Sequence, residues 1–339
     1  MEFKSQRKKE ILLYAVDEYI KKPQPITSAG LSTKFNDVST ATLRNELNAL
    51  EQMGYLQQLH TSGGRIPTSL AYRCYVNDIL SNNKLDVKAL QQVKDNYESK
   101  SVNLISTLSS LAKRLSRVTN CPTILVQHGI ENLTIVDIKI IPLIQKDALL
   151  LVETTAGVID DNLSLDPDTS RDACRDASSY LTEHFKGQTI KFMVDNVAEV
   201  CLRAGAQMFE FKTLIDSVTT ALQNVVKTKL DISSENTSKM LDNITSSEYD
   251  EAKDVLSFLE DGDEVINAVS DTNELNFVIG DENENDKLKG GMMLSAPIVI
   301  DGVSIASLAL VGPKRVDYGS LAAALKFIVN EAENLNKDK

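Results

Sequence analysis

Residues 38–54 are VSTATLRNELNALEQMG, and this stretch has the beginning, the apolar side and the end of a single helix. Ser39 or Thr40 can cap its first turn by accepting a hydrogen bond from a backbone N–H group. Its apolar residues recur every three or four positions and form one stripe: Leu43, Leu47, Leu50 and Met53. Gly54 follows, at a position where helices commonly end in a left-handed conformation. The stretch therefore predicts a helix that packs on one side only.

The opposite side of this helix carries amides, small residues and one arginine in place of the lysines and glutamates usual on a solvated surface. The candidate contact residues on this side are Thr40, Ala41, Arg44, Asn45 and Asn48. In the major groove of DNA, asparagine pairs with adenine through two hydrogen bonds, arginine pairs with guanine, and alanine or threonine contacts the thymine methyl group. The alternative is an ordinary surface helix of a helical bundle, and the flanking sequence decides between the two.

The residues before this helix predict the first part of a helix-turn-helix. Residues 5–21 have an amphipathic pattern, whose basic beginning serves either solubility or contact with phosphate groups. Pro23 and Pro25 end this first helix, because proline donates no backbone hydrogen bond. Thr27 and Ser28 can then cap a short second helix. A helix, a short helix, a tight turn and a polar-faced helix follow one another in the order of a helix-turn-helix.

The residues after the helix predict a β-hairpin. Residues 55–60 have the composition of a strand, and residues 61–65 contain a turn-forming glycine pair. Residues 66–67 are the short second strand of the hairpin. A hairpin directly after a recognition helix is a wing, and its polar tip suits a phosphate group or the minor groove. The wing residues expected to contact DNA are His60, Thr61, Ser62 and Arg65. A helix over residues 69–80 closes the predicted domain.

Charge is divided unevenly along the chain. Residues 1–80 contain 10 Lys and Arg against 8 Asp and Glu, a net charge of +2, whereas the whole chain of 339 residues carries −12. The remainder therefore carries −14. Since phosphate charge dominates the binding of nucleic acids, the first segment is the part that can approach DNA. A net charge of +2 is weak for one copy, which indicates that two copies act together.

Composition argues against several other classes of protein. The apolar runs are all shorter than the roughly 20 residues of a membrane-spanning helix, and the first residues lack the apolar core of an export signal. The four cysteines are scattered without a C-x-x-C pair, and they are expected to be reduced thiols of a cytoplasmic protein: Cys74, Cys121, Cys174 and Cys201. The three histidines lie far apart, so neither a metal site nor a cofactor is predicted.

Strand patterns are concentrated in residues 123–165 and 276–313, and mostly helical residues separate the two regions. This arrangement predicts one α+β domain with an insertion. The predicted insertion, residues 195–255, contains an amphipathic helix whose apolar stripe either packs on its own domain or meets a partner helix across a dimer. We favour the partner helix, because an inserted helix has little core of its own to cover it.

Motifs of enzymes are missing from the sequence. It lacks a glycine-rich phosphate loop before a helix, a nucleophile elbow, and histidine and glutamate residues at metal-binding spacing. The acidic residues 280–286 lack the spacing of a calcium-binding loop, and acidic loops are usually only solvated. No catalytic residue is therefore predicted, and the protein is expected not to be an enzyme.

Five motifs together resemble one family. They are STATLRNEL at 39–47, HTSGGRIPT at 60–68, YRCYV at 72–76, IGDEN at 279–283 and LVGPKRVDY at 310–318. These residues are similar to those of the heat-inducible transcription repressor family, HrcA. The resemblance implies a winged helix-turn-helix, then a GAF-like α+β domain with an inserted helical dimerisation segment. It also implies a homodimer that binds CIRCE, an inverted-repeat operator ahead of chaperone genes, and that the GroE chaperonin modulates.

The expected organisation follows from the motifs and the patterns together. A winged-helix DNA-binding domain is predicted at residues 1–80, a linker helix at 81–100, a GAF-like domain in two parts at 101–194 and 256–339, and the dimerisation segment at 195–255. The expected function is that of a cytoplasmic repressor of heat-shock genes. Two alternatives stay open, a winged-helix regulator whose GAF-like domain senses a small effector, and an enzyme with an appended DNA-binding module.

Overall fold

The computed structural model describes residues 5–58, 64–82, 103–143, 147–166, 169–204, 210–235, 244–245, 248–270 and 272–335. Helices and strands are mixed along these residues, so the chain has the predicted α+β class. Most of the predicted linker, residues 83–100, lies outside the described residues. The predicted wing-tip residues His60, Thr61 and Ser62 lie outside them as well.

The N-terminal part, residues 5–82, is a small helical unit with one hairpin, which we call the head. Its elements are α1 at Gln6–Lys21, α2 at Ser28–Leu31, α3 at Thr40–Gln52, β1 at Leu56–Gln58, β2 at Arg65–Pro67 and α4 at Ser69–Ser81. Ser39 caps α3 by accepting a hydrogen bond from the Thr42 N–H at 3.1 Å, and Gly54 follows it with a φ of +81°. β1 and β2 pair antiparallel. The head therefore has the element order of a winged helix-turn-helix.

The head folds around the apolar side of α3. Leu43, Leu47 and Leu50 are each 0% exposed and belong to the same core as Ile11 and Leu12 of α1. Full burial of a leucine side chain contributes about 1.5–3 kcal/mol, so these three residues supply a substantial part of the stability of a small domain. Because this side of α3 is fixed in the core, the opposite side faces outward.

The remainder of the chain, which we call the body, is built on an antiparallel sheet of five strands. These are β3 at Thr123–Gln127, β7 at Lys229–Ser233, β8 at Asn276–Ile279, β9 at Gly291–Ile300 and β10 at Val303–Pro313. Their order in the sheet is β7-β3-β10-β9-β8. Two helices, α5 at Leu104–Thr119 and α11 at Tyr318–Glu333, pack on one side, and α9 at Tyr249–Leu259 and α10 at Gly262–Ser270 pack on the other.

A second, smaller unit is inserted between β3 and β7. It contains an antiparallel sheet of β4 at Ile135–Pro142, β5 at Asp147–Thr154 and β6 at Gly157–Ser164, and three helices, α6 at Arg171–Phe185, α7 at Ile190–Ala204 and α8 at Glu210–Val225. The insertion was predicted at residues 195–255. The sheet topology instead places the inserted unit at residues 135–225, between β3 and β7. The reason is that a strand pattern shows where strands lie, but not to which sheet they belong.

The apolar stripe of α8 is covered by its own chain. Leu214, Val218 and Leu222 are at most 1% exposed, and α8 packs against β6 and α7. The stripe was expected to meet a partner helix across a dimer, and for these side chains that expectation was wrong. The three-stranded sheet supplies the core that an isolated inserted helix would lack.

The side chains of three of the four cysteines are described, and Cys74, Cys121 and Cys174 are free thiols. Burial raises the pKa of the Cys121 thiol to about 12, so this thiol stays protonated at neutral pH. The side chain of Cys201 lies outside the described residues. Across the described residues, no helix combines the length and the apolar composition needed to span a bilayer.

One ion pair in the body is almost fully buried. Arg315 donates to the carboxylate of Glu248 at 2.8 and 2.9 Å, and the two side chains are 9% and 13% exposed. Burial alone raises the pKa of Glu248, but the hydrogen bonds from Arg315 and from the Thr245 N–H outweigh it and bring the pKa below the ordinary 4.5. A carboxylate with a lowered pKa stabilises the folded state above pH 4.5, and this contribution is lost as the pH falls through the lowered pKa.

We predict that Glu248→Gln lowers the free energy of unfolding at neutral pH by about 3–5 kcal/mol, because buried Arg315 loses the ion pair with the Glu248 carboxylate. The variant should also lose less stability than the wild type between neutral pH and about pH 3.5, since it has no carboxylate to protonate. Urea unfolding at the two pH values measures both effects. Asp286→Asn is the matched control, because its pair with Lys289 is exposed. Equal losses in the two variants would contradict the prediction.

Candidate nucleic-acid interface

The predicted contact residues of α3 lie together on its exposed side. Thr40, Ala41, Arg44, Asn45 and Asn48 are all exposed. At about 100° per residue they span an arc of roughly 140°, and the buried leucines occupy the other side. The main packing partners of α3 are α1, α2 and β1, all within the head, and the five residues of this polar face stay exposed. The capped start of α3, its apolar stripe and its end at Gly54 thus position the face.

Arg65, at the base of the wing, is turned toward α3. Its Nε donates to Glu51 Oε2 at 2.7 Å, and its Nη2 donates to Asn48 Oδ1. The Arg65 side chain is only 11% exposed. The backbone of Arg65 pairs with Ile26 as well, through hydrogen bonds of 2.7 and 2.9 Å. The predicted wing contact residue therefore ties β2 to the C-terminal half of α3.

The glycine before Arg65 permits this close approach. A Cβ atom at Gly64 would lie 2.7 Å from the carbonyl oxygen of Ile26 and 2.8 Å from Pro25. The Ile26 atom is a backbone atom, and the Pro25 atoms belong to the backbone and to the proline ring. None of them can rotate away as the end of a flexible side chain does. The second glycine of the sequence motif therefore serves packing between the wing and the loop before α2.

The contact with Arg65 limits what Asn48 can recognise. A guanidinium group only donates hydrogen bonds, so the Asn48 atom that faces it must be the amide oxygen. Pairing with adenine through two hydrogen bonds needs the amide oxygen as well as the amide nitrogen. Arg65 therefore occupies one of the two acceptor positions of the Asn48 oxygen, which weakens pairing through two hydrogen bonds and leaves the amide nitrogen as the main group presented to the outside. Asn45 and Arg44 make no side-chain hydrogen bond or ion pair among the described residues, so both keep their full hydrogen-bonding capacity.

The basic beginning of α1 is partly neutralised within the head. Lys8 lies 3.6 Å from Glu46 of α3, and Lys9 lies 2.9 Å from Asp78 of α4. The hydrogen bond to Asp78 is the main cause that raises the pKa of Lys9. Both lysines therefore hold helices of the head together, and among the described residues at this end of α1, Arg7 is the exposed cation.

Sequence reasoning missed the role of Glu51. Glu51 follows Asn48 by three positions, so the two side chains are neighbours on α3. The available signal was this acidic residue near the polar face, followed by an arginine in the hairpin. The pairing itself depends on the path of the chain between them and could not be read from spacing. Among the described residues, no three His, Cys, Asp or Glu side chains are grouped so that they could hold a metal ion.

The winged helix-turn-helix order and the exposed amide and arginine face together define a DNA-binding transcription regulator. Comparison with known proteins identifies the family. A family model described as "HrcA protein C terminal domain" matches residues 106–321, well over half of the chain. The chain belongs to the HrcA family, whose relatives carry the name heat-inducible transcription repressor.

Two relatives show that the similarity extends over nearly the whole length. The heat-inducible transcription repressor HrcA of Caldanaerobacter subterraneus subsp. tengcongensis is 29% identical over 337 residues, covering 97% of this chain and 96% of the relative. That of Acetivibrio thermocellus is 26% identical over 333 residues, covering 96% and 94%. The family confirms the predicted transcription repressor, which is a regulator and not an enzyme.

One solved structure supports the fold. It is titled "Crystal structure of a hypothetical protein at 2.2 A resolution" and superposes with a TM-score of 0.71. The alignment covers 98% of this chain and 99% of that chain, at 20% sequence identity. At this identity the likeness concerns the fold alone.

We predict that Arg65→Ala and Glu51→Ala each lower specific DNA affinity, and that the double variant is no worse than either single one. The physical reason is that both substitutions remove the same brace between the wing and α3, so their effects are coupled. Gel-shift titrations of the wild type and the three variants measure this double-mutant cycle. Asn77→Ala, at an exposed residue of α4, is the control outside the polar face of α3. If Glu51→Ala instead tightens binding, Arg65 is a cation that contacts phosphate once its carboxylate is removed.

Asn45 and Asn48 should differ in their effect on selectivity. We predict that Asn45→Ala costs about 1–3 kcal/mol of specific affinity and relaxes selectivity at one base pair. Asn48→Ala should lower affinity with less loss of selectivity, because a single donor is accepted by several bases. Operators substituted one base pair at a time measure both quantities. Equal loss of selectivity in the two variants would show that Asn48 also pairs through two hydrogen bonds.

Proposed function

We propose that the protein represses transcription of chaperone genes by binding an inverted-repeat operator as a homodimer. The observation that carries this proposal is the exposed polar face of α3, which is fixed by the burial of the leucines behind it. A helix of this kind fits the major groove, and its side chains reach the base edges there.

Each contact residue has a role that its chemistry suits. Arg44 would pair with guanine and Asn45 with adenine, each through two hydrogen bonds. Asn48 would donate one hydrogen bond to a base acceptor, and Ala41 and Thr40 would contact thymine methyl groups. The wing residues His60, Thr61 and Ser62 would contact the phosphate backbone or the minor groove, and Arg65 would hold the wing in place.

Dimerisation fits the apolar residues exposed on the inserted unit. Five of the seven large exposed hydrophobic side chains among the described residues lie there, namely Val136, Ile141, Leu143, Phe192 and Leu202. A dimer with two-fold symmetry uses the same patch on both copies and presents two heads to the two halves of an inverted repeat. It also doubles the weak positive charge of the head, which strengthens the attraction to phosphates.

Family membership suggests which genes and which modulator are involved. The proposed operator is the CIRCE inverted repeat, which precedes chaperone genes, and the proposed modulator is the GroE chaperonin. The chaperonin would keep the repressor in its active fold. On heating, unfolded proteins would occupy the chaperonin, and the repressor would lose its active fold. A small decrease in stability is enough for such a response, because about 1.4 kcal/mol changes the folded to unfolded ratio tenfold. The repressor would act in the cytoplasm, where the operator is.

A gel-shift titration on DNA from upstream of the chaperone genes tests the proposed function. We expect a shift for the intact inverted repeat and a much weaker shift when either half is scrambled, at fixed salt concentration. Equal binding to intact and scrambled DNA would refute sequence-specific repression. Release of the operator by a small metabolite, without chaperonin, would favour an effector-sensing regulator instead.

We predict that Ile141→Ser weakens the dimer, because it removes apolar surface from the proposed contact. Sedimentation velocity over a range of protein concentrations measures the shift toward monomer. Leu70→Ser is the matched control, since Leu70 of the head is 45% exposed and Ile141 is 41% exposed. If Leu70→Ser dissociates the dimer and Ile141→Ser does not, the dimer is formed through the head.

A further inference from the structure

Helix α4 belongs to two units at once. Ala71, Tyr72 and Val76 are buried in the core of the head, while α4 also packs against β8 and α11 of the body. Arg73 crosses this boundary. Its Nε donates to Glu282 Oε1 at 2.6 Å, and its Nη2 donates to Glu282 Oε2 and to the Phe277 carbonyl oxygen. The arginine thus holds both a carboxylate and a backbone carbonyl of the body.

The loop that receives Arg73 is organised in advance. Glu282 also accepts a hydrogen bond from the Ile279 N–H at 2.8 Å, which fixes the carboxylate on its own loop. Burial alone raises the pKa of Glu282, but the hydrogen bonds from Arg73 and Ile279 outweigh it, and the net pKa is lowered. Glu282 is therefore ionised at neutral pH and matches the fork of the guanidinium group.

A cluster of aromatic rings also lies at the contact between head and body. Tyr318, at the start of α11, is fully buried. Its ring lies 5.9 Å from Tyr72 and 6.4 Å from Tyr75 of the head, and 5.5 Å from Phe277 of the body. These centroid distances are in the range in which aromatic pairs attract each other beyond simple area burial. The contact between head and body therefore has an apolar centre and a charged edge.

Gly280 brings the two units into close contact. Its φ is +56°, and a Cβ atom there would lie 2.1 Å from Ser69 Oγ, at the first residue of α4. Only glycine combines this left-handed conformation with space for the start of α4. The sequence motifs IGDEN and LVGPKRVDY both lie at this contact, because they supply Gly280, Glu282 and Tyr318. We call the contact of these residues with α4 the joint.

The joint leaves the recognition helix uncovered. It uses α4, whereas α3 packs mainly on α1, α2 and β1 of the head and keeps its polar side exposed. A tight joint therefore fixes the direction of the polar face without occupying it. A contact that blocked DNA binding would have to cover Arg44 or Asn45, and the joint covers neither.

We infer that Arg73 is a positioning residue for operator binding: the joint holds each head at one orientation on the body. The inference rests on the proposed dimer and its inverted repeat. Two linked heads bind with an effective concentration that depends on the stiffness of the link and on its match to the spacing of the sites. A stiff joint favours one spacing strongly. Adding one base pair moves one half-site by about 3.4 Å and turns it by about 34°.

The test compares full-length proteins on operators whose spacer is shortened by one, unchanged, or lengthened by one or two base pairs. A DNA with a single half-site is included. For the wild type we expect about a tenfold loss of affinity for a change of one base pair. For Arg73→Ala we expect about tenfold weaker binding at the natural spacing, a flatter dependence on spacer length, and unchanged binding to the single half-site. Unchanged half-site binding shows that the head of the variant is folded.

A second pair of variants opens the joint from the body side. Gly280→Ala should flatten the spacer dependence as Arg73→Ala does, since the added Cβ collides with Ser69. Gly302→Ala is the control, because Gly302 has a φ of +78° but no atom within 4 Å of the added Cβ. It carries the same kind of backbone strain and should keep the wild-type spacer dependence.

The inference is overturned if Arg73→Ala and Gly280→Ala keep the wild-type spacer dependence, or if they bind the natural operator as tightly as the wild type does. The proposed function fails separately, and before the joint is considered, if the wild type binds two half-sites no better than one. A merely structural role for Arg73 predicts lower stability with the same spacer dependence.

Discussion

Burial of one side of α3 decides where its other side is directed, and the rest of the head depends on this division. Three leucines on the helix are completely removed from water, and the helix cannot rotate about its axis without exposing them. At about 100° per residue, the amides and the arginine are then held away from the core. Arg65 of the wing adds a second restraint on α3. Arg73 of the joint adds a third, which acts on the head as a whole because it ties α4 to the body. Ordinary packing thus positions the proposed recognition face before any DNA is present.

The parts of the structure that sequence predicts well are those fixed by neighbours in the chain. The cap at Ser39, the leucine stripe and the left-handed Gly54 all act within one or two helical turns, and α3 lies where they place it. The hairpin and α4 follow for the same reason. The five candidate residues of the recognition helix are exposed together because periodicity alone sets their side.

The parts that sequence does not predict depend on contacts between distant residues. β4 to β6 were predicted as strands of the same domain as β3, but hydrogen-bond pairing places them in a separate sheet. β7, at Lys229–Ser233, joins the main sheet despite its mixed composition, because it pairs with β3 along its whole length. The stripe of α8 is covered by strand β6, which pattern analysis had assigned to the main domain. The bonds from Arg65 to Asn48 and from Arg73 to Glu282 join residues whose proximity only the folded chain creates.

The central claim is that the exposed side of α3 lies among base edges in the major groove, once in each half of the operator. Protection from dimethyl sulfate tests it most directly, because the reagent methylates guanine N7 in the major groove, an atom that arginine contacts. Wild-type protein should protect guanines symmetrically in both half-sites, and Arg44→Ala should lose protection at one guanine of each half while the others stay protected. Bound operator with fully reactive guanines in both halves, or a pattern that Arg44→Ala leaves unchanged, would contradict the account.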